Sequence, residues 1–453
     1  MDTDAITKLL DHIIADATQA KAVVAAGATT LVRAGENLQA ALDKGGSITL
    51  EDGATFAGGF VLKVPGTRVF GAKANLVGGP GVAALSVPPG AKDVKAFVGT
   101  ATTPWDQRVV MVGDNDPAVQ SRLDQVPDGV EITCFVPKHR GKTAFWINGS
   151  NVKLTNCGCA DVYDPAVRDS QGVSVLNTPG PVAVSGGVFQ AGTEIVMVGG
   201  DKTGIPNVNP TNVVFEDVVL SRPIAWKTDG VNRKVKNCFE LKAGINVVLR
   251  RARLDGCWVQ AQVGWALMLT PRDGKQVKNV LVEDVVVANV GGGFDLAGYD
   301  DAAYTPQTQG VTFRRMSVSV VPGFGTGRFG MLIAEPASVT VDDCTFDGSN
   351  YGKPPPVTDD DRQSTISSEP GTVWDTPTSS RIGSIVKGVR IVNSKLTMRG
   401  YGVMVNGNAY GLKWQDGWPD GVISGNTFVQ PSDAGLAAFA KKNLPPDNTW
   451  IPG

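Results

Sequence analysis

NVVFEDVVL from Asn212, NVVLRRARL from Asn246, NVLVEDVVV from Asn279 and GVTFRRMSV from Gly310 are four versions of one nine-residue phrase, and their recurrence decides the fold. Each opens on Asn or Gly, continues with Val, and then alternates apolar and polar residues. The phrase extends in both directions. Upstream it reads NVKLTNCGC from Asn151 and PVAVSGGVF from Pro181; downstream it reads SVTVDDCTF from Ser338, GVRIVNSKL from Gly388 and GVISGNTF, one residue shorter, from Gly421. Successive starts lie 30, 31, 34, 33, 31, 28, 50 and 33 residues apart, and a self-similar period of this size marks a stacked-repeat architecture.

Alternation over a few residues followed by a turn is the pattern of a short half-buried strand, which excludes helical solenoids. Neither the tryptophan–aspartate mark of a propeller nor a leucine-rich consensus is present. The expected fold is therefore all-β, a parallel β-helix in which each repeat is one coil. Charge supplies an internal check. The fifth and sixth positions of successive blocks are Glu216 and Asp217, Arg250 and Arg251, Glu283 and Asp284, Arg314 and Arg315, and Asp342 and Asp343, so the sign alternates at every step. Parallel strands about 4.8 Å apart would bring acid against base at each contact. These residues are read as a solvated ladder holding coils in register rather than as catalytic carboxylates.

A solenoid accommodates all 453 residues in one body, and the 55 glycines serve its turns. With 42 basic and 44 acidic side chains, composition gives no case for nucleic acid or an anionic membrane as partner, and no apolar run reaches membrane-spanning length. The first residues, MDTDAITKLLDHIIADATQ, carry acids where a secretory signal carries bases, so export by that route is not expected. Of the six cysteines, Cys157 and Cys344 share the seventh position of their blocks and Cys257 lies just after another block, a periodic placement that reads as small stacked core residues. No second cysteine pair or nearby histidine completes a zinc site around Cys157-Gly158-Cys159. Only His12 and His139 occur, and no phosphate loop or nucleophile elbow appears, so no cofactor or metal is expected.

Residues 4–24 carry apolar side chains at Ile6, Leu10, Ile13, Ala17, Ala20 and Val24, stepping by four and three like a coiled-coil seam. Packing on its own chain is the plain reading of this helix; an anchor or oligomerisation element is the functional one. It is followed by AGENLQAALDKGGSITLEDGATFAGGF, in which a short helix over 37–42 leads into strand residues 48–50 and a turn at 51–53. This entry segment resembles that of pectate-lyase-like right-handed parallel β-helix proteins, a family shared by phage tailspikes and polysaccharide lyases, where a short helix caps the first coil. The phrases NCFELKAG, QAQVGWALMLTP and VEDVVVANVGGGFDLAG between 237 and 299 are similar to uncharacterised bacterial and phage β-helix proteins. The resemblance implies the fold and assigns no chemistry.

The chain is thus expected to divide into a helical anchor (1–30), a capping helix with the first coil (31–73), early coils with long insertions (74–143), the β-helix proper (144–430) and a C-terminal cap (431–453). A loop at 347–384 interrupts the period.

Carboxylates, with Arg272 as an accompanying base, are the candidates for catalysis. Aligning Phe239-Glu240-Leu241-Lys242, Leu267-Met268-Leu269-Thr270, Phe294-Asp295-Leu296-Ala297 and Met331-Leu332-Ile333-Ala334 puts Glu240, Met268 and Asp295 on one outer face. Glu240 and Asp295 would then lie two coils, roughly 10 Å, apart. Arg272, Asp300 and Asp301 belong at the neighbouring corners, and Trp226, Trp258 and Trp265 are candidate stacking surfaces for sugar rings. The plain alternative pairs Glu240 with Lys242 on an ordinary exposed strand.

Fold resemblance, anchoring helix and missing export signal together imply a structural or host-attachment protein of a bacteriophage virion, assembled in the host cytoplasm. It would be a homotrimer that meets other virion proteins through its N-terminal helix and binds a host surface polysaccharide. A polysaccharide lyase or glycoside hydrolase on the β-helix face, and a capsid decoration protein without activity, are the alternatives.

Overall fold

The computed structural model describes residues 29–114, 122–200, 208–299, 306–325, 327–348, 366–369, 371–373, 380–382, 385–397, 403–405, 414–429 and 444–451. The expected heptad helix at 4–24, Asp300 and Asp301 lie outside the described residues. The chain forms two compact units, one of Met1–Pro223 with Gly230–Lys234 and one of Ile224–Asp229 with Val235–Gly453. Each is a stretch of right-handed parallel β-helix, and the fold is all-β.

In the second unit one sheet is built from the repeated blocks. Gly244–Cys257 pairs in parallel with Val277–Val290, which pairs with Gln309–Arg314 and Ser317–Val320, and the stack continues through Ala337–Asp342 and Arg390–Val392 to Val422–Ser424. A second sheet of shorter strands runs Asn237–Leu241, Trp265–Leu269, Gly292–Ala297, Gly330–Ile333, Ile366–Glu369 and Val403–Val405, again all parallel. The first unit repeats the plan. Its block sheet includes Lys92–Thr102, Asp128–Val136 and Ser150–Thr155, and its short strands are Leu85–Val87, Arg108–Val112, Thr143–Ile147, Gln171–Val175 and Glu194–Val198. The described residues of 74–114 and 122–143 therefore include strands that pair with neighbouring coils. The entry helix, Leu38–Leu42, is capped by Asn37, whose side chain accepts a hydrogen bond from the amide of Ala40.

Two backbone bends explain the wording of the block. Its first residue adopts left-handed φ at Asn151 (49°), Asn212 (55°), Asn246 (58°), Asn279 (53°), Gly310 (71°) and Gly388 (69°). Asn and Gly tolerate that region best, which is why they stand there. The sixth residue bends the same way at Asn156, Asp217, Arg251, Asp284, Arg315, Asp343 and Asn393. Between the bends, inward residues such as Val247, Leu249, Val280, Val282, Val311 and Phe313 are buried. Phe294 lies over Phe313 with ring centroids 4.1 Å apart and meets Phe329 edge-on at 5.5 Å.

Within the second unit the charge file is as expected: Arg250 stands opposite Glu283, Glu283 opposite Arg314, and Arg314 opposite Asp342. Arg314 reaches both acids at 3.5 Å, and Arg315 binds Asp284 at 2.6 Å and Glu283 at 2.8 Å. Arg315 thereby holds the Asp284 carboxyl below the usual carboxylate range.

Three expectations need correction. Arg390 pairs with Val422, so the ninth block begins at Asp420 and has its full length. The interval 347–384 is not all loop: Ile366–Glu369 adds a rung to the short-strand sheet, and Gly371–Val373 forms an antiparallel pair with Ser380–Ile382. Within the expected cap, Thr449–Ile451 pairs with Thr427–Val429 as one more rung, with Trp450 over Phe428.

Candidate functional site

The short strands of each unit share one design. Their inward residues are apolar, and the fourth residue of each five-residue strand points outward by simple alternation. In the second unit Glu240 stands opposite Met268, Met268 opposite Asp295, and Asp295 opposite Met331. The expected pairing of Met331 with Phe294 is off by one residue, since Phe294 pairs with Gly330. The cause is steric: a Cβ on Gly330 would lie 2.1 Å from Cζ of Phe294, so only glycine fits beneath that ring.

Outward position does not bring exposure here. Glu240 is 3 % exposed and Asp295 and Met268 are each 8 % exposed, so all three are buried. Lys242 Nζ lies 3.4 Å from Glu240 Oε1. The amide of Arg272 donates to the carbonyl of Lys242 at 2.9 Å, which places Arg272 at the corner where the sequence put it. Arg328, unremarked in the sequence, donates from Nη1 to Met331 Sδ at 3.7 Å and stands at the opposite end of the strands. Two carboxylates thus occupy one file, separated by a methionine and flanked by cations at both strand ends.

The tryptophans behave differently from the expectation. Trp258 and Trp265 are 2 % and 1 % exposed, and Trp226 is 8 % exposed, so none offers an open ring face to a sugar. Trp258 packs edge-on against Phe324 at 6.2 Å instead.

The first unit carries a related file that the sequence did not single out. Met111, Trp146, Ser174 and Met197 stand opposite one another in turn, with the guanidinium of Arg108 3.7 Å over the Trp146 ring. At the strand starts Thr143 donates to Gln171 at 3.1 Å, and Gln171 donates to Glu194 at 2.8 Å; Glu194 is fully buried. The signal was present as five-residue phrases RVVMV, TAFWI, QGVSV and EIVMV, but their spacing is less regular than that of the blocks. At one corner Arg168 binds Asp106 at 2.6 Å and also Asp164, while Arg140 and Arg233 cover Tyr163 at 4.0 and 5.0 Å. His139, buried beside them, is held down to about 4 by the loss of solvent around its ring.

All six cysteines are buried and unbridged; Cys157 Sγ donates to the carbonyl of Ile132 at 3.2 Å. Burial pushes the thiols of Cys159 and Cys344 up to about 12, so neither is a nucleophile at neutral pH. Among the described residues no group of three or more His, Cys, Asp or Glu side chains is placed to hold a metal ion, and no helix is long and apolar enough to cross a membrane.

Fold and site together define a parallel β-helix protein with two buried carboxylates in one file of its short-strand sheet. No protein-family model matches the chain. No curated protein matches it in sequence. Solved structures similar to it include a tailspike protein mutant of E. coli bacteriophage HK620 in complex with a hexasaccharide, with a TM-score of 0.47 at 12 % identity over 86 % of this chain and 77 % of that one. Another is the tailspike protein gp49 of Acinetobacter baumannii bacteriophage Fri1, a capsular polysaccharide depolymerase, at 0.42 and 12 % over 96 % and 62 %. The catalytic unit of a GH87 α-1,3-glucanase from Streptomyces thermodiastaticus strain HF3-3 is similar at 0.44 and 10 % over 94 % and 68 %. The likeness to all three is one of fold.

Proposed function

We propose that this protein is a host-attachment component of a bacteriophage virion, a tailspike-like β-helix that binds a surface glycan along the outward groove of its short-strand sheet. The carrying observation is the burial of Glu240 and Asp295 at outward positions of the second unit. An outward strand position leaves a carboxylate in water at no cost, whereas withdrawing it costs several kcal/mol unless partners replace the water. A scaffold has no need of that; a site that recognises hydroxyl groups does. The heptad stripe of residues 6–24 supports the homotrimer and the attachment to other virion proteins, because it precedes the coils instead of interrupting them.

A second reading has its own support. Two carboxylates roughly two coils, or about 10 Å, apart stand near the upper limit for an inverting pair, in which one protonates the leaving oxygen and the other activates water. In that reading the protein cleaves the glycan it binds. A capsid decoration protein without activity shares the fold and lacks a reason for the buried acids.

The test is binding and cleavage of surface polysaccharide from candidate hosts by the purified chain and by the Glu240→Gln, Asp295→Asn double variant. Attachment predicts binding that the double variant weakens. Cleavage adds new reducing or unsaturated ends that the variant abolishes. Unaltered binding by the variant removes this site.

A further inference from the structure

In the second unit methionines recur in the short-strand file at every second coil. Met268, Met331 and Met404 alternate with Glu240, Asp295 and Ser367 along the second unit, each pair in direct register. Met111 and Met197 hold in the first unit the fourth strand position that Met268 holds in the second. Outward positions normally take polar residues. The core offers the contrast of Met316, which is fully buried among inward side chains. An apolar thioether every second coil gives the file of the second unit a repeat of about 10 Å, twice the strand spacing.

We propose that the groove of the second unit reads a two-residue repeat in a linear glycan, with Met268 and Met331 as specificity-determining residues that receive an N-acetyl methyl group. The inference rests on the glycan reading above and names the ligand class for that site. In a β-1,4-linked chain each sugar is turned half a revolution from the last, so substituents on one edge recur at every second residue. A chain lying along the stack, one sugar per coil, would then set successive acetyl groups on successive methionines. The intervening sugar would present hydroxyls to Glu240 or Asp295. A thioether suits this task because it is polarisable and has three rotatable bonds with which to fit a methyl group. Arg328 holds the Met331 sulfur at 3.7 Å and so restricts where that side chain lies.

The experiment measures calorimetric binding of two probes to the full chain: the β-1,4-linked hexamer of N-acetylglucosamine and cellohexaose, which has the same backbone without acetyl groups. The wild-type chain is expected to prefer the acetylated hexamer roughly tenfold, the discrimination a hydrophobic pocket gains from one small apolar group. Met268→Gln with Met331→Gln should reduce that preference to within a factor of about three, and Met268→Leu with Met331→Leu should keep it, since leucine preserves the apolar contact. Circular dichroism confirms that both double variants fold. Equal affinity for the two hexamers, or a preference unchanged in the glutamine variant, overturns the role of the methionines while leaving the glycan reading in place. Binding of neither probe while a host polysaccharide still binds overturns the assigned ligand class. Binding of no glycan at all overturns both.

Discussion

Replacing Gly330 by alanine tests the register on which the candidate site depends. A Cβ at that position would lie 2.1, 2.4 and 2.5 Å from Cζ, Cε1 and Cε2 of Phe294. These atoms belong to a fully buried ring, stacked on Phe313 at 4.1 Å and set edge-on to Phe329 at 5.5 Å, so it cannot retreat without opening those contacts. Overpacking a closed core costs about 1–3 kcal/mol, and disturbing one aromatic pair adds about 0.5–1.5 kcal/mol. A loss of about 2–4 kcal/mol is therefore expected, read as a lower urea midpoint in unfolding followed by near-ultraviolet dichroism. Removing the obstacle should restore tolerance: in a Phe294→Leu background the same Gly330→Ala change should cost less than about 1 kcal/mol, because coupled neighbours do not add. An unchanged midpoint for Gly330→Ala alone would refute the reasoning. Gly330 would then not lie beneath Phe294, and Met331 would leave the file of Glu240, Met268 and Asp295.

Three further outcomes follow. Glu283→Lys should destabilise the second unit modestly, by about 1 kcal/mol or less, because it places like charges between Arg250 and Arg314 on a half-exposed face; raising salt from low to high should recover most of that loss in the same unfolding assay. Asn426→Ala should cost about 2–4 kcal/mol in the same measurement, since the buried amide accepts from the Ser394 amide at 2.8 Å and donates to the Ile391 carbonyl at 2.8 Å, and the change strands both. His139 has a folded pKa depressed from about 6.5 to about 4, so its neutral ring contributes stability that is intact above pH 6.5 and is lost as pH falls toward 4. Unfolding midpoints measured across that window should fall less steeply for His139→Phe than for the wild-type chain.

Much of the coil was legible because the backbone dictates composition twice per turn. Left-handed φ at the first and sixth block positions selects Asn, Gly and Asp, and the inward positions between them select Val, Leu and Phe, so the pattern survives sequence drift. Arg251 and Arg315 occupy the bend without being natural residues for it, and there the charge file revealed the register instead. The short-strand sheet was harder. It has one outward residue per strand, and its period is disguised by loops of different length, as the one-residue slip at Met331 shows. That slip had a physical signature, a glycine preceding the strand's outward residue, but reading it requires knowing that the Phe294 ring lies above. Burial on the outward face was illegible. Glu240 reads as an exposed member of an ordinary ion pair and Trp258 and Trp265 as surface aromatics, yet all three are buried, because strand alternation assigns a face and not the exposure of that face.

The central claim, that ligand lies on the outward file of the short strands, is tested most directly by methyl NMR of the chain labelled at its methionines and titrated with the oligosaccharide that binds it. Assigned by single Met→Leu substitutions, the signals of Met268 and Met331 should shift on binding, while that of Met316, which is fully buried among inward side chains, should stay in place. Binding that leaves Met268 and Met331 unshifted would contradict the account and move the site to another face of the solenoid.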